Sequence, residues 1–309
     1  MLLRSIKGLF TLIRIVPVLS WSFCAILLSV GFAIHDRHGL GSLPWIAICL
    51  LLLGALTLQG IVAHALNDRT DWRSGTDQKS PGILSGGSKV IRKGFYSETQ
   101  LLVVGILGIL LAIGLGVYLQ SLTAHSVWIF ILVGIWSAWS YSSYPFRLSY
   151  YPFLGEWLAA FPAMAACTLG TYYILTGSVS VPVIWAAIIH SLLCVGWLMQ
   201  HHTSDIDADW EAVPQKITTV AWIASRVGKS AVPNLTASYF LLATFVSILA
   251  TLAVHKIFIL SVLCSLLGAS SARQTNPFNI ANITFNQVKM ILLTLIHALL
   301  LFGFEIVTR

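Results

Sequence analysis

Apolar positions along this chain come in long unbroken runs separated by short polar stretches, with almost no two-residue alternation. A helix needs about 20 apolar residues to cross a bilayer. The runs predict nine spans, at roughly 15–35, 45–66, 98–119, 126–142, 152–176, 182–203, 234–254, 256–272 and 286–305. The fourth and eighth are short, and the seventh and eighth are separated by almost nothing, which leaves eight as the alternative count. Membrane barrels require alternating apolar and polar residues, and lipid offers the backbone no hydrogen-bond partners. The expected fold is therefore all-α, a polytopic membrane helix bundle forming one domain over residues 1–309.

Composition agrees with this. The chain is 57% hydrophobic and 9% charged, whereas a soluble domain carries about 25% charged residues. The five cysteines, Cys24, Cys49, Cys167, Cys194 and Cys264, lie inside apolar runs without CxxC spacing. They read as small hydrophobes rather than disulfide or zinc sites. The opening stretch MLLRSIKGLFTLIRIVPVLS has no clear small-residue cleavage site and reads as a basic amphipathic lead-in to the first span, not a signal peptide.

Charge then sets sidedness. With the N-terminus in the cytoplasm, fifteen of the eighteen Lys and Arg fall on the cytoplasmic side, and Arg37, Lys256 and Arg309 fall opposite. That asymmetry predicts N-in, C-out topology in the cell membrane and favours nine spans over eight. The net charge of +7 is accounted for by anionic headgroups, so no nucleic-acid partner is implied.

The acids are unevenly placed. Seven of the eleven Asp and Glu lie in HALNDRTDWRSGTDQ (Asp68, Asp71, Asp77) and HHTSDIDADWE (Asp205, Asp207, Asp209, Glu211). Each stretch follows an apolar span, the second and the sixth. Asn67 and Asp71 are four residues apart, as are Asp205 and Asp209, so each pair shares a helix face. Clustered carboxylates at a membrane edge repel one another and are costly to desolvate. Mg²⁺, which takes one or two carboxylates together with phosphate oxygens, is the usual compensation. The loop SGTDQKSPGILSGGSKVIRKG supplies Gly82, Gly86 and Gly87 for close backbone approach. Its cations Lys79, Lys89, Arg92 and Lys93 are candidates to neutralise a diphosphate.

NDRTDWRSGTD resembles the first aspartate motif of UbiA-type prenyltransferases, NDxxDxxxGxD, and DIDAD resembles the second, DxxxD. SPGILSGGSKVIRKG and YPFRLSYYPFLGEWLAAFPAMAACTLGTYYILTGSVS are similar to the 1,4-dihydroxy-2-naphthoate prenyltransferase branch. The resemblance implies nine helices around a central cavity. It implies Mg²⁺-dependent transfer of a prenyl group from a prenyl diphosphate to an aromatic acceptor. It assigns Asn67, Asp71, Asp77, Asp205 and Asp209 to the metal and diphosphate, and Asp68 to a supporting place. Arg147, after Tyr144-Pro145, and Lys216, before Thr218-Thr219, match basic positions of the family and join Asp71 and Asp205 as expected catalytic residues. Glu156, in Leu-Gly-Glu, is a further landmark, expected to position a basic residue or form an ion pair. Where the branch reads Asn-Asn-x-Arg-Asp, this chain has His201-His202-Thr203-Ser204-Asp205, and Pro214 replaces the usual glycine turn. Those departures bear on the acceptor.

The expected chemistry follows. Metal ions draw charge from a leaving diphosphate, and the allylic centre needs a dry site. Trp136, Trp139, Tyr141 and Tyr144 are candidates to stabilise it through their ring faces, or form an interfacial belt. His201 and His202 are candidate acid/base groups, and both, like His64, are equally readable as hydrogen-bonded helix residues. Two alternatives stand. A membrane terpene cyclase would use the same cage and quench the cation internally. A secondary transporter would instead need its site near the midplane, where the spans carry no charge.

Overall fold

The computed structural model describes residues 2–37, 39 and 43–307; Arg309 lies outside the described residues, as does the side chain of Arg4. Ten helices carry the architecture: α1 (Leu2–Ile13), α2 (Ile15–Asp36), α3 (Trp45–Ser74), α4 (Glu98–Thr123), α5 (Trp128–Ser140), α6 (Glu156–Thr176), α7 (Val181–Thr203), and, after two short helices α8 (Ile206–Trp210) and α9 (Thr219–Val227), α10 (Lys229–Ala253), α11 (Lys256–Arg273) and α12 (Ile280–Val307). No strand occurs among the described residues.

Eight of these are long and apolar enough to cross a membrane; α5, in place of the fourth predicted span, is not. Its 13 residues rise about 20 Å, short of a hydrocarbon core of about 30 Å. The expected count of nine is thus eight long helices and one short one. The seventh and eighth spans are separate helices, parted by a turn at Val254–His255.

The helices also outrun their apolar cores. The second span, expected to end near 66, continues to Ser74, because Asn67–Ser74 extend the same helix into polar surroundings until Gly75 ends it at φ 91°. That extension keeps Asn67 and Asp71 on one face.

Packing follows chain order. α4 lies on α3, and α5 packs against both α3 and α6. α7 packs on α6 and α10, α10 on α11, α11 on α12, and α12 returns to α2. Large apolar residues such as Leu107, Ile129, Phe245, Leu252 and Phe285 are exposed on the outside, where lipid would cover them. Three π-type stretches, Leu19–Phe23, Leu56–Ala63 and Glu156–Ala160, each contribute to the wall of one internal cavity. Such stretches leave backbone groups without their usual helical partners. Here Gln59 Oε1 accepts from the Ser22 amide at 3.3 Å, and the Trp21 carbonyl lies 3.0 Å from His190 Nε2.

Candidate active site

The cavity, about 280 Å³ in volume, runs along α3. One face of that helix, Leu50, Gly54, Leu58, Ala63, Asn67 and Asp71, lines it at steps of four or five residues, the repeat of a helix face. Its mouth carries Asn67, Asp71, Asp77, Asp205 and Lys216; its lower part is apolar.

Each acid at the mouth has different surroundings. Asp71 is buried; its Oδ1 accepts from the Tyr150 hydroxyl at 3.1 Å, and its Oδ2 from Lys216 Nζ at 2.8 Å and Asn67 Nδ2 at 2.5 Å. Asp209 stands behind Lys216, 3.7 Å from Nζ, and accepts the Lys216 amide on its carbonyl at 3.0 Å. Asp68 is held by the Arg14 guanidinium and by the amide and hydroxyl of Ser88. Asp205 accepts from the hydroxyls of Ser80 and Ser85, the latter at 2.7 Å. Asp77 has no hydrogen-bond or ion-pair partner among the described residues. It lies against Gly87, where an added Cβ would sit 2.1 Å from its Oδ2 and where φ is 71°.

Burial dominates the electrostatics at the mouth. Burial pushes the Asp77 carboxyl well above its ordinary value, with Asp71 and Asp68 adding to the effect. Burial also raises Asp205, against the Ser80 and Ser85 hydrogen bonds, and raises Asp209 well above the usual range, with Lys216 opposing. Burial works against the Lys216 ammonium, but Asp71 and Asp209 outweigh it and hold its pKa well above the ordinary lysine value. In each of these carboxylates burial outweighs the cations nearby: Arg14 and Lys216 at Asp77, and Lys216 at Asp205 and Asp209.

Among the described residues no three His, Cys, Asp or Glu side chains form a ready cage for a metal. The donor set nevertheless fits Mg²⁺. Asp77 is unpartnered, Asp205 is held only by hydroxyls, and both share one wall with Asn67 and Asp71. Mg²⁺ binds through one or two carboxylates and completes its shell with phosphate and water.

Other expected residues fall elsewhere. Arg147 lies off the cavity wall, with its guanidinium 5.6 Å from the Tyr150 ring and 5.9 Å from the Tyr144 ring. Asp209 is likewise off the wall. Of the loop cations, Lys79 pairs with Glu211 at 2.9 Å, Arg92 donates to the Gln78 carbonyl, and none of Lys79, Lys89, Arg92 and Lys93 lines the cavity. Ser204 bonds Ser85 at 2.7 Å instead of facing the cavity. Glu156 is buried, off the wall and without an ion-pair partner among the described residues. His64, His201 and His202 all line the cavity; His202 Nε2 lies 3.1 Å from the Tyr141 hydroxyl, and His201 Nδ1 lies 3.0 Å from Gln287 Nε2. Of the four aromatics expected near the reacting centre only Tyr141 is on the wall; Trp21 and Trp197 join it, 5.5 Å apart and edge-to-face.

The structure adds Arg14, Tyr150 and the serines of the 80–88 loop. Arg14 sits between α1 and α2 at φ 45°, ψ 68° and lines the mouth. A lone arginine beside a span signals sidedness in the sequence; only its left-handed backbone turns it inward.

The sequence profile of the UbiA prenyltransferase family matches residues 13–282. The chain belongs to the UbiA prenyltransferase family. Solved structures agree on the fold. A UbiA homolog from Archaeoglobus fulgidus, bound to GPP and Mg²⁺, superposes with a TM-score of 0.66 at 14% identity, covering 96% of this chain and 99% of the other. A digeranylgeranylglyceryl phosphate synthase gives 0.61 at 13% identity, covering 98% and 99%. A UbiA homolog from Aeropyrum pernix K1 gives 0.57 at 14% identity, covering 93% and 96%. No curated protein matches the chain. At these identities the UbiA fold is what the structures share with it.

Proposed function

We propose that this UbiA-family protein is a Mg²⁺-dependent prenyltransferase. It moves a prenyl group from a prenyl diphosphate to a lipophilic aromatic acceptor of the dihydroxynaphthoate type, in quinone-type biosynthesis. Residues 1–309 act as one domain of the cell membrane, with the N-terminus and the acidic mouth cytoplasmic. One observation carries the reading: a single cavity joins an acidic mouth containing an unpartnered carboxylate to an apolar shaft, the shape of a charged head on a hydrocarbon tail. The Archaeoglobus homolog's GPP and Mg²⁺ have the same chemistry.

Asn67, Asp71, Asp77 and Asp205 would hold the metal, which when bound withdraws charge from the diphosphate. Lys216 and Arg14 orient the diphosphate from the wall, and Asp209 keeps Lys216 charged from behind. Arg147 acts through the Tyr150 ring, which sets the Tyr150 hydroxyl on Asp71. The bond between prenyl C1 and the diphosphate oxygen breaks, and its electron pair leaves with the diphosphate. C1 bonds to an acceptor ring carbon, and that carbon loses its proton. The Tyr141–His202 pair on the wall takes that proton. The apolar shaft keeps water from the allylic centre.

A second reading, internal cyclisation of the prenyl chain, is favoured by one feature. The cations on the cavity wall are Arg14 and Lys216, both already engaged with carboxylates, so an acceptor carboxylate must compete for them. Mass spectrometry of products from a naphthoate acceptor, a neutral phenol and no acceptor separates the two. A prenylated aromatic supports transfer, and a cyclic hydrocarbon without acceptor replaces it.

A further inference from the structure

Arg69 and Arg147 stand within electrostatic reach of one another at the mouth end of the bundle, and neither lines the cavity. Arg69 is on α3, one turn past Leu66, and Arg147 is in the turn after α5. The Nε of each is shut off from the surface and has no hydrogen-bond partner among the described residues. Neither guanidinium has a carboxylate of its own. Glu98, the acid whose charge reaches Arg69, pairs with Arg73 at 3.1 Å. Three arginines thus share one acid, and the charges of Arg73 and Arg147 both bear on Arg69. A buried N–H without an acceptor is costly, and like charges held together add to that cost. The arrangement calls for an anion.

The surroundings are those of a membrane interface. Trp139 and Leu102 pack on the buried cluster of Val62, Leu66 and Ala138, in the seam between α3, α4 and α5. Trp139 donates its Nε1 to the Tyr144 carbonyl at 3.3 Å. Tyr144 is 75% exposed, with its ring 5.9 Å from the Arg147 guanidinium, and Trp136 is exposed as well. Trp and Tyr gather at the headgroup level of a bilayer. Along the same two helices, Ile106 and Leu110 of α4 and Ile129 and Leu132 of α5 are exposed apolar residues. We infer that Arg69 and Arg147 bind the phosphate of one anionic phospholipid, whose acyl chains lie along α4 and α5. Arginine's planar fork matches phosphate oxygens two at a time. The headgroup is anionic because a zwitterionic one brings its own ammonium to guanidiniums that lack a counter-charge. The site is separate from the cavity and does not rest on the proposed reaction.

The test uses the full-length protein in a neutral maltoside detergent, with EDTA and without prenyl diphosphate. Dioleoyl phosphatidylglycerol, dioleoyl phosphatidylcholine and sodium phosphate are added separately, and native mass spectrometry and thermal melts read binding. Phosphatidylglycerol should be retained as one copy and raise the melting temperature, with a Kd about tenfold or more below that of phosphatidylcholine. Sodium phosphate should leave the melt unchanged. Arg69→Gln should weaken phosphatidylglycerol binding about tenfold, and Arg69→Lys, which keeps the charge but loses the fork, should weaken it less. Arg69→Gln also removes a like charge, so without lipid it should melt no lower than the wild type, which separates lost binding from lost fold. If it does melt lower, Arg69→Lys decides in its place, and unweakened lipid binding there overturns the inference. Arg92→Gln removes an exposed guanidinium that donates to the Gln78 carbonyl at 2.8 Å, and should leave the affinity unchanged. Equal affinity for the two lipids overturns the inference. So does an equal loss in Arg69→Gln and Arg92→Gln, which would mean a diffuse attraction to surface charge. Stabilisation by sodium phosphate alone would give the site to a free anion and overturn the lipid.

Discussion

Asp71 and Asp77 face the same cavity, yet their surroundings have opposite character. Asp71 is met by Lys216, Tyr150 and Asn67, and its neighbour Asp68 by Arg14 and Ser88. Asp77 has no partner among the described residues, and Asp205 in the second motif has hydroxyls alone. The first set is neutralised by the fold and helps to hold it together. The second makes no ion-pair contact among the described residues, and burial makes its charge costly. A binding site for a cation and its anionic ligand requires such a division: some acids build the mouth, and others keep it receptive.

This division can be broken by substitution. The largest effect should be on rate: Asp71→Ala and Asp205→Ala each lose about 10²-fold or more in kcat, as removal of a key electrostatic group does. Single-turnover assays with saturating Mg²⁺ check this, and full activity in either variant removes that acid from the mechanism.

Stability should separate the two sets next. Lys216→Met strands Asp71 and Asp209 in the interior and should cost about 3–5 kcal/mol, the usual result of removing one partner of a buried pair. Asp77→Asn should do the reverse in metal-free protein and raise the unfolding temperature. The sign follows from linkage. The folded-state pKa of Asp77 is raised, so above the ordinary carboxylate value of 3.8 the unfolded chain gives up its proton first. Metal-free stability therefore falls as pH rises from there through the folded value, and Asp77→Asn should flatten that fall. Thermal melts in EDTA across the acidic range measure it; a steeper fall in the variant would contradict the division.

A smaller effect is expected at Ser204. A Cβ on Gly82 would lie 2.9 Å from Ser204 Oγ, so the 80–85 turn is close-packed there. Ser204→Arg must displace that turn, at a cost of about 1–3 kcal/mol typical of overpacking, and should raise the KM for the prenyl diphosphate. Wild-type KM together with a changed acceptor preference would mean the arginine reaches the cavity instead. Ser85→Ala, which removes one neutral donor to Asp205, should cost the least, about 0.5–1.5 kcal/mol.

The sequence made the helices legible because a membrane span announces itself by length of apolar run, and the four-residue spacing of Asn67 and Asp71 survives since α3 stays helical through both. At the second motif the spacing was a weaker guide. α7 ends at Thr203, Asp205 opens α8, and although the Asp209 amide still bonds the Asp205 carbonyl at 2.8 Å, Asp209 turns toward Lys216 and away from the cavity wall. Arg14 and Tyr150 were hidden for a different reason. Their roles depend on a left-handed turn and on a loop folding back across the bundle, neither of which hydrophobic patterning encodes. The short α5 looked like a span because its residues are almost all apolar; only its length, 13 residues, falls short.

On the proposed function, the acidic mouth works on a prenyl diphosphate through a divalent cation. The direct measurement is diphosphate release from geranyl diphosphate by the purified protein in lipid, with a naphthoate acceptor, after EDTA treatment and then after Mg²⁺ is restored. Release should stop in EDTA, return with Mg²⁺, and be matched mole for mole by a prenylated aromatic product. Release that persists in EDTA, or Mg²⁺-restored protein that leaves the donor intact, would contradict it.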